Sequence, residues 1–184
     1  MSEETEAGDL NGASAEGARF QELKSAIREY GAAAFQNLVK CRALARAIIE
    51  GFADYEGCPR ASVRAVPPMG EFDPHKDYGD AAFSYAARPV IVLEPIRFGL
   101  SLIVGNAEDA GALWLRTSIA VEMTADAFDI YVAARPRVRA PLSFEGELNP
   151  VFERIHREFL ETFTREINEF NDVRFSQGIG FLPV

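Results

Sequence analysis

Between Ile96 and Leu142 the chain alternates apolar and polar residues with only short interruptions, and this pattern restricts the fold more than any other feature of the sequence. A period of two residues is typical of β-strands that bury one face. The interruptions, at residues 105–111 and around Ala125–Asp126, are too short to contain a helix. Because parallel neighbours need a helix-length connection, the pattern predicts antiparallel strands and excludes a parallel Rossmann-type sheet.

The apolar residues of these predicted strands share one face of the sheet. They are Ile96, Phe98, Leu100, Leu102 and Val104, then Leu113, Leu115, Ile119, Val121 and Met123, then Phe128, Ile130 and Val132, and last Val138, Ala140 and Leu142. Further strands are expected upstream, from the alternation of Phe83, Tyr85 and Ala87, from the apolar run Val90–Leu93 and from a short strand at residues 61–66. We expect a sheet of about five to six strands.

A long helix is predicted from Ala18 to about Tyr55, because apolar residues recur there every three or four positions on one face. They are Phe20, Leu23, Ile27, Tyr30, Ala34, Leu38, Cys41, Ala45, Ile48 and Phe52. This helix exceeds the average length more than twofold. It therefore needs a long apolar surface, which either its own sheet or a second copy of the chain would supply.

A second amphipathic helix is predicted to begin at Asn149 and Pro150, which suit the start of a helix. Its apolar face comprises Phe152, Ile155, Phe159, Leu160, Phe163, Ile167 and Phe170. We expect this face to pack on the sheet, and the C-terminal residues Ile179, Phe181, Leu182 and Val184 to dock there too. Together these elements predict an α+β fold in which a long N-terminal and a long C-terminal helix flank an antiparallel sheet.

Charge and composition restrict the classes of partner. Residues 1–17 carry five of the negative charges and no Lys or Arg, and we interpret them as a disordered acidic tail before a single domain at 18–184. The net charge of −9 argues against nucleic acid and against an anionic membrane surface as partners. Two cysteines, Cys41 and Cys58, fit no metal spacing and suggest reduced thiols, so a cytoplasmic protein is expected.

No motif of a nucleophile, a phosphate-binding loop, a dinucleotide site or a zinc site occurs in the sequence, so no catalytic residue, metal or cofactor is predicted. An acidic loop is predicted at residues 67–80. It contains Glu71, Asp73, His75, Asp77 and Asp80, which are ligand types for a divalent cation. Their spacing matches no calcium loop, and a solvated polar loop is the preferred interpretation.

Two groups of residues are candidates for ligand or partner binding. His156 is expected inside the apolar stripe of the second helix, where it and Tyr85 would line a pocket at the helix–sheet interface, with a core histidine bonded to a backbone carbonyl as the commoner alternative. On the polar face of the sheet, an arginine cluster would recognise an anionic group or an acidic partner, with internal salt bridges as the alternative. Its members are Arg97, Arg116, Arg135, Arg137 and Arg139.

Three functional hypotheses follow from these features. The first is a non-enzymatic binding, adaptor or chaperone-like regulatory domain that forms a homodimer through its N-terminal helix and binds a protein partner. The second is a small-ligand pocket or enzyme around His156. The third is anion recognition by the arginine-rich sheet face.

Overall fold

The computed structural model describes residues 10–105, 113–144, 146–168 and 179–181. The helices are α1 (Leu10–Glu56) and α2 (Asn149–Asn168), and the strands are β1 (Val63–Val66), β2 (Ile96–Val104), β3 (Leu113–Met123), β4 (Ala127–Val132), β5 (Val138–Pro141) and β6 (Ile179–Phe181). The sheet has the order β1-β2-β3-β4-β5, with β6 on the first residues of β3, and all pairings are antiparallel. The predicted α+β fold is confirmed.

The core lies between one face of this sheet and the two helices. In the register of the sheet, Phe98 of β2 faces Ile119 of β3, and Val121 faces Ile130 of β4, and all four side chains are buried. The second half of α1 and the N-terminal part of α2 cover this face. The apolar alternation of the strands therefore buries one face against helices, as the period of two predicted.

Helices α1 and α2 meet through aromatic side chains. The ring of Phe52 on α1 lies 6.0 Å from Phe159 and 6.4 Å from Phe152 of α2, centroid to centroid. Gly51 allows this approach, because a Cβ atom there would lie 2.5 Å from Cζ of Phe152. Gly51, near the C-terminal end of α1, is thus a position where the two helices are in close contact.

The prediction of strands between Phe83 and Leu93 was wrong. Two short 3-10 helices occupy Gly79–Ala82 and Ser84–Ala87, and residues 88–95 form a loop. Alanine-rich sequence has low strand propensity, and Pro89 and Pro95 bracket the apolar run and remove ladder hydrogen bonds. Phe83 keeps a single bridge to Phe98 of β2.

The helix boundaries differ from the predicted ones mainly at the N-terminus. Helix α1 begins at Leu10, not at Ala18, so residues 10–17 belong to a helix and not to the predicted tail, while residues 1–9 lie outside the described residues. Helix α2 begins at Asn149 as predicted. The expected docking of the C-terminal residues is confirmed for Ile179–Phe181, which pair with β3, whereas Leu182 and Val184 lie outside the described residues.

The buried face of α2 is rotated from the predicted one. Leu160 is 55% exposed, whereas Glu158 and Thr162 are buried. Glu158 can lie there because Arg135 donates a hydrogen bond to its carboxylate at 2.7 Å. An ion pair with Arg135 thus holds a face of α2 that the helical pattern had predicted to be held by apolar contacts alone. The predicted core position Phe170 lies outside the described residues.

Candidate functional site

The first half of α1 exposes a row of large apolar side chains. Phe20, Leu23, Ile27 and Tyr30 are between 50% and 70% exposed, and they follow one another at spacings of three and four residues. Side chains at such spacings lie on one face of a helix. We call these four residues the exposed stripe. A stripe of this kind is rare on the surface of a monomer, because it leaves apolar area in contact with water.

The same face of α1 continues as core in the second half of the helix. Ala34, Asn37, Cys41, Leu44 and Ile48 extend the row at alternating spacings of three and four, and all are buried. The complete row from Phe20 to Ile48 has the seven-residue repeat of a coiled coil, with positions a and d on the seam. The sheet covers the second half of this seam, and none of the described residues covers the first half to the same extent.

A loop next to the exposed stripe adds further apolar surface. Val90, Ile91 and Leu93 are 63%, 51% and 51% exposed. The loop that carries them is closed by a two-point ion pair in which Arg88 donates to both carboxylate oxygens of Glu94, at 3.2 and 2.8 Å. We call residues 89–93 the apolar loop. The ion pair fixes the turn, and the apolar side chains of the loop are exposed to solvent.

Two hydrogen bonds attach the apolar loop to α1. The N–H of Leu93 donates to the hydroxyl of Tyr30 at 3.0 Å, and Asn37 Nδ2 donates to the carbonyl of Glu94 at 3.0 Å. Asn37 is buried, and this bond explains why a polar residue is tolerated within the seam. Since Tyr30 is the last residue of the exposed stripe, the stripe and the loop form one continuous apolar surface.

The predicted arginine cluster does not form a single site. Arg137 donates to Asp129 at 2.8 Å, and Arg139 donates to Asp126 at 3.0 Å and lies 3.2 Å from the other carboxylate oxygen of Asp129. Asp129 is buried, so these cations compensate a carboxylate that would otherwise be costly to bury. Arg137 and Arg139 therefore form internal salt bridges, which was the alternative interpretation of the cluster.

Arg135 lies apart from the other two, on the turn between β4 and β5. Its guanidinium donates to Glu158 and to Glu161 of α2, and the hydrogen bond to Glu158 is the main cause that raises the pKa of Arg135. This contact anchors α2 to the turn between β4 and β5. Arg135 therefore has a structural role in the packing of the helix.

Arg116 and Arg97 lie on the sheet face opposite the helices. Arg116 donates to the carbonyl of Gly70 at 2.8 Å, and its guanidinium stacks 4.5 Å from the ring of Phe72, which also contacts Trp114 at 4.7 Å. The loop at 67–78 thus folds over this face, and desolvation lowers the pKa of Arg116. Arg97 is exposed, and no side-chain hydrogen bond or ion pair joins it to the described residues.

The prediction that His156 lies inside the apolar stripe of α2 was wrong. Its side chain is 44% exposed at the edge of the helix, with Nδ1 2.8 Å from the carboxylate of Glu56. Tyr85 lies elsewhere, where its hydroxyl donates to Asp80 at 3.0 Å and its ring stacks on Phe83 at 5.4 Å. Burial, and then the bond to Asp80, raise the pKa of Tyr85 to about 12. No contact among the described residues joins the two.

The carboxylates of the acidic loop are engaged in local structure. Asp73 accepts from the N–H of His75 at 2.8 Å, Asp77 accepts from the N–H of Gly79 at 2.9 Å, and Asp80 forms an ion pair with Arg42 at 2.6 Å. Within the residues that the structure describes, no three His, Cys, Asp or Glu side chains converge to hold a metal ion. In the same part of the chain, no helix is long and apolar enough to cross a membrane.

Both cysteines are free thiols, and Cys41 lies within the buried part of the seam. Burial raises its pKa to about 12, so the thiolate that a nucleophile or metal ligand needs is absent at neutral pH. The pKa of Cys58 is raised as well, again mainly by burial. Cys41 is a small core residue.

Two groups of residues were missed by reasoning from the sequence. The apolar loop was read as a buried strand, although Arg88 and Glu94 flank it and Pro89 and Pro95 bracket it. A groove lined by Arg42, Arg46, Arg60 and Arg64, with a volume of about 530 Å³, was not anticipated at all. The i,i+4 spacing of Arg42 and Arg46 was the available signal for it.

We compared the chain with protein-family models, with curated proteins and with solved structures, and no match was found in any of the three.

Proposed function

We propose that this protein is a non-enzymatic binding or adaptor protein that acts as a homodimer, in which the exposed stripe of α1 pairs with the same stripe of a second copy. The observation that carries the proposal is the continuous seam of α1, buried from Ala34 onward and exposed from Phe20 to Tyr30. A second copy is the favoured occupant because a seven-residue repeat is the pattern by which helices pair with one another.

The energy of such a pair is modest. Each of the four stripe residues is 50–70% exposed. Covering the exposed part of each would contribute about 1 kcal/mol, or roughly 8 kcal/mol for the two copies together. Association costs about 4–15 kcal/mol in lost freedom. Burial of the apolar loop at the dimer interface would add further favourable free energy of association. We therefore expect a weak dimer that dissociates on dilution, with a dissociation constant between about 10 μM and 1 mM.

Charge favours an antiparallel arrangement of the two helices. Arg19 and Lys24 flank the seam at heptad positions g and e, and a parallel pair would place Arg19 of one copy beside Lys24 of the other. Like charges at these positions oppose pairing. An antiparallel pair instead places Arg19 near the alanines around Ala33. It also brings the N-terminal part of one helix toward the apolar loop of the other copy.

Such a dimer would hold two folded domains at opposite ends of a helical spacer. The projecting segment, residues 17–33, is about 25 Å long at 1.5 Å per residue. Two identical surfaces at a fixed separation raise the avidity for a partner that carries two sites. This bivalent presentation is the adaptor role that we propose. The free thiols favour a cytoplasmic location for it.

Sedimentation velocity across about 1–500 μM protein would test the dimer, together with the substitution Ile27→Glu. Ile27 is the most exposed residue of the stripe, and a charge there would remain in the middle of the seam. We expect the wild type to shift from monomer to dimer with concentration and Ile27→Glu to remain a monomer. The circular dichroism and the urea midpoint of the folded domain should be preserved, because Ile27 makes no core contact.

Val39→Glu is the matched control. Val39 is 50% exposed on the same helix, but it lies on the face opposite the seam. This variant should dimerise like the wild type. A wild-type protein that stays monomeric over the whole range, or a Val39→Glu variant that loses dimerisation equally, would contradict the proposal.

A further inference from the structure

A groove between α1, β1 and the 3-10 helix at Gly79–Ala82 is independent of the dimer surface. It has a volume of about 530 Å³, which lies within the range of small-ligand sites. Arg42 and Arg46 project from α1, Arg60 and Arg64 come from the segment around β1, and Val63 and Phe83 provide apolar lining. The groove is built within one chain.

The arginines of the groove are unequally compensated. Arg42 is paired with Asp80 at 2.6 Å, and Arg60 is paired with Asp54 at 3.0 Å. Arg64 instead donates to two backbone carbonyls, those of Ala61 at 3.1 Å and His75 at 2.6 Å. Arg46 makes no hydrogen bond and no ion pair with the residues that the structure describes.

Three carboxylates also line the groove, those of Glu50, Asp77 and Asp80. Asp80 is engaged with Arg42 and with the hydroxyl of Tyr85, and Asp77 accepts from the N–H of Gly79. With Asp54, the partner of Arg60, the groove holds as many carboxylates as arginines, so its preference for an anion rests on the two arginines without a carboxylate partner.

The two arginines without carboxylate partners come from opposite walls of the groove. Arg46 projects from α1 and Arg64 comes from β1. Because Nε and Nη1 of Arg64 already donate to backbone carbonyls, an anionic group between the two would meet the free fork of Arg46 and the remaining N–H groups of Arg64. Planar guanidinium groups bind phosphate in a two-point manner. The apolar lining at Ile49, Val63 and Phe83 would contact a hydrocarbon or ring attached to that group.

We propose that this groove binds a small organic phosphate, a phosphate monoester with an apolar or aromatic body. Arg46 and Arg64 bind the phosphate, the body lies against Val63 and Phe83, and the Arg42–Asp80 pair forms the edge of the site. The proposal does not rest on dimerisation, and the Ile27→Glu variant is expected to bind the ligand as the wild type does.

Isothermal titration calorimetry with phenyl phosphate would test the groove. A ligand of this size is expected to bind with a dissociation constant of about 1 mM or tighter. Inorganic phosphate, which lacks the ring, and phenol, which lacks the charge, should each bind about tenfold more weakly. Added salt should weaken the binding of phenyl phosphate, because the phosphate contact is ionic.

Arg46→Gln is the decisive variant, because Arg46 supports no other described contact and its loss should leave the fold intact. We expect it to weaken phenyl phosphate binding at least about tenfold, the value of one charged hydrogen-bonding group. Arg97→Gln, on β2 and outside the groove lining, is the matched control and should bind like the wild type.

The proposal is overturned if no saturable binding of phenyl phosphate occurs up to about 10 mM, or if Arg46→Gln and Arg97→Gln weaken it equally. It is also overturned if inorganic phosphate or phenol binds as tightly as phenyl phosphate, since one half of the ligand would then be irrelevant.

Discussion

The two halves of α1 carry the same apolar seam and meet different surroundings. From Ala34 to Phe52 the seam lies against the sheet and α2, and its side chains are buried. From Phe20 to Tyr30 the same repeat continues without interruption, and its side chains are largely exposed. The helix extends past the edge of its own sheet by more than four turns.

The two halves show that the position of the apolar face and the burial of that face are separate properties, which a periodic pattern does not distinguish. The repeat shows which face of a helix is apolar, and it does so equally well in both halves. What covers that face depends on where the sheet ends, and the pattern carries no information on this. The buried half is expected to determine the stability of the domain, and the exposed half its association.

The largest expected effect on stability comes from shortening a side chain in the buried half of α1. Phe52→Ala removes a fully buried ring that contacts Phe152 and Phe159, and should lower the free energy of unfolding by about 3–5 kcal/mol. Phe20→Ala, in the exposed stripe, should change it by less than about 0.5 kcal/mol at concentrations where the protein is monomeric. Urea denaturation of both variants measures the contrast, and equal losses would contradict the division of the helix.

Stability at alkaline pH offers a second test of the buried half. The Cys41 thiol titrates at about 9 in the unfolded chain and at about 12 in the folded one. Between these values the unfolded chain binds fewer protons, so this contribution is fully present below pH 9 and is lost as the pH rises toward 12. The expected loss is about 1.4 kcal/mol per pH unit, or roughly 2 kcal/mol by pH 10.5.

Comparison of the wild type with Cys41→Ala isolates this effect, because Tyr85 and Cys58 are present in both. Denaturation curves from pH 8 to 10.5 should converge as the wild type loses its advantage. Two curves that stay parallel would show that the thiol is not held in its protonated form by the core.

Two of the glycines of α1, Gly51 and Gly31, should respond to the same substitution with opposite signs. Gly51→Ala places a Cβ 2.5 Å from the ring of Phe152, and the strain should outweigh the gain in helix propensity by about 1–2 kcal/mol. Gly31→Ala meets no atom within 4 Å and should stabilise the helix by about 0.5–1 kcal/mol. Thermal unfolding followed by circular dichroism distinguishes them, and stabilisation by both would show that the contact at Gly51 is loose.

The smallest effect concerns the orientation of the proposed dimer. In an antiparallel pair Arg19 lies near small residues, so Arg19→Glu should leave the dissociation constant within about twofold. In a parallel pair the new carboxylate would meet Lys24 of the other copy and strengthen association. Sedimentation of this variant beside the wild type decides between them, and tighter association would overturn the antiparallel arrangement while leaving the dimer in place.

Much of the fold was predictable because its signals are local. The alternation from Ile96 to Leu142 defined antiparallel strands, and the spacing of Phe152, Ile155 and Phe159 defined the core face of α2. The prediction failed where a local pattern was ambiguous. The run Val90–Leu93 has the composition of a buried strand, and only the Arg88–Glu94 pair and the bonds to Tyr30 and Asn37 hold it as an exposed loop.

The candidate sites were less predictable, because they depend on residues far apart in the chain. The arginine groove joins residues of α1 to residues of β1, and Arg135 finds Glu158 across 23 positions. Alternation placed five arginines together as one cluster, yet the structure separates them. Arg137 and Arg139 share Asp129, whereas Arg135 contacts α2. His156 was placed in the core by its helical position and lies at the edge, because the helix is rotated so that Glu158 faces Arg135.

The sequence by itself determined the α+β class, the strands from Ile96 onward and the apolar seam of α1, since these depend on residue type and on spacing within a few turns. The tertiary structure decided how much of each face is covered. A sheet about half as long as α1 buries one part of the seam and leaves Phe20, Leu23, Ile27 and Tyr30 exposed. The physical reason is that burial depends on the extent of the opposing surface, which is assembled from distant segments and is invisible to any local pattern.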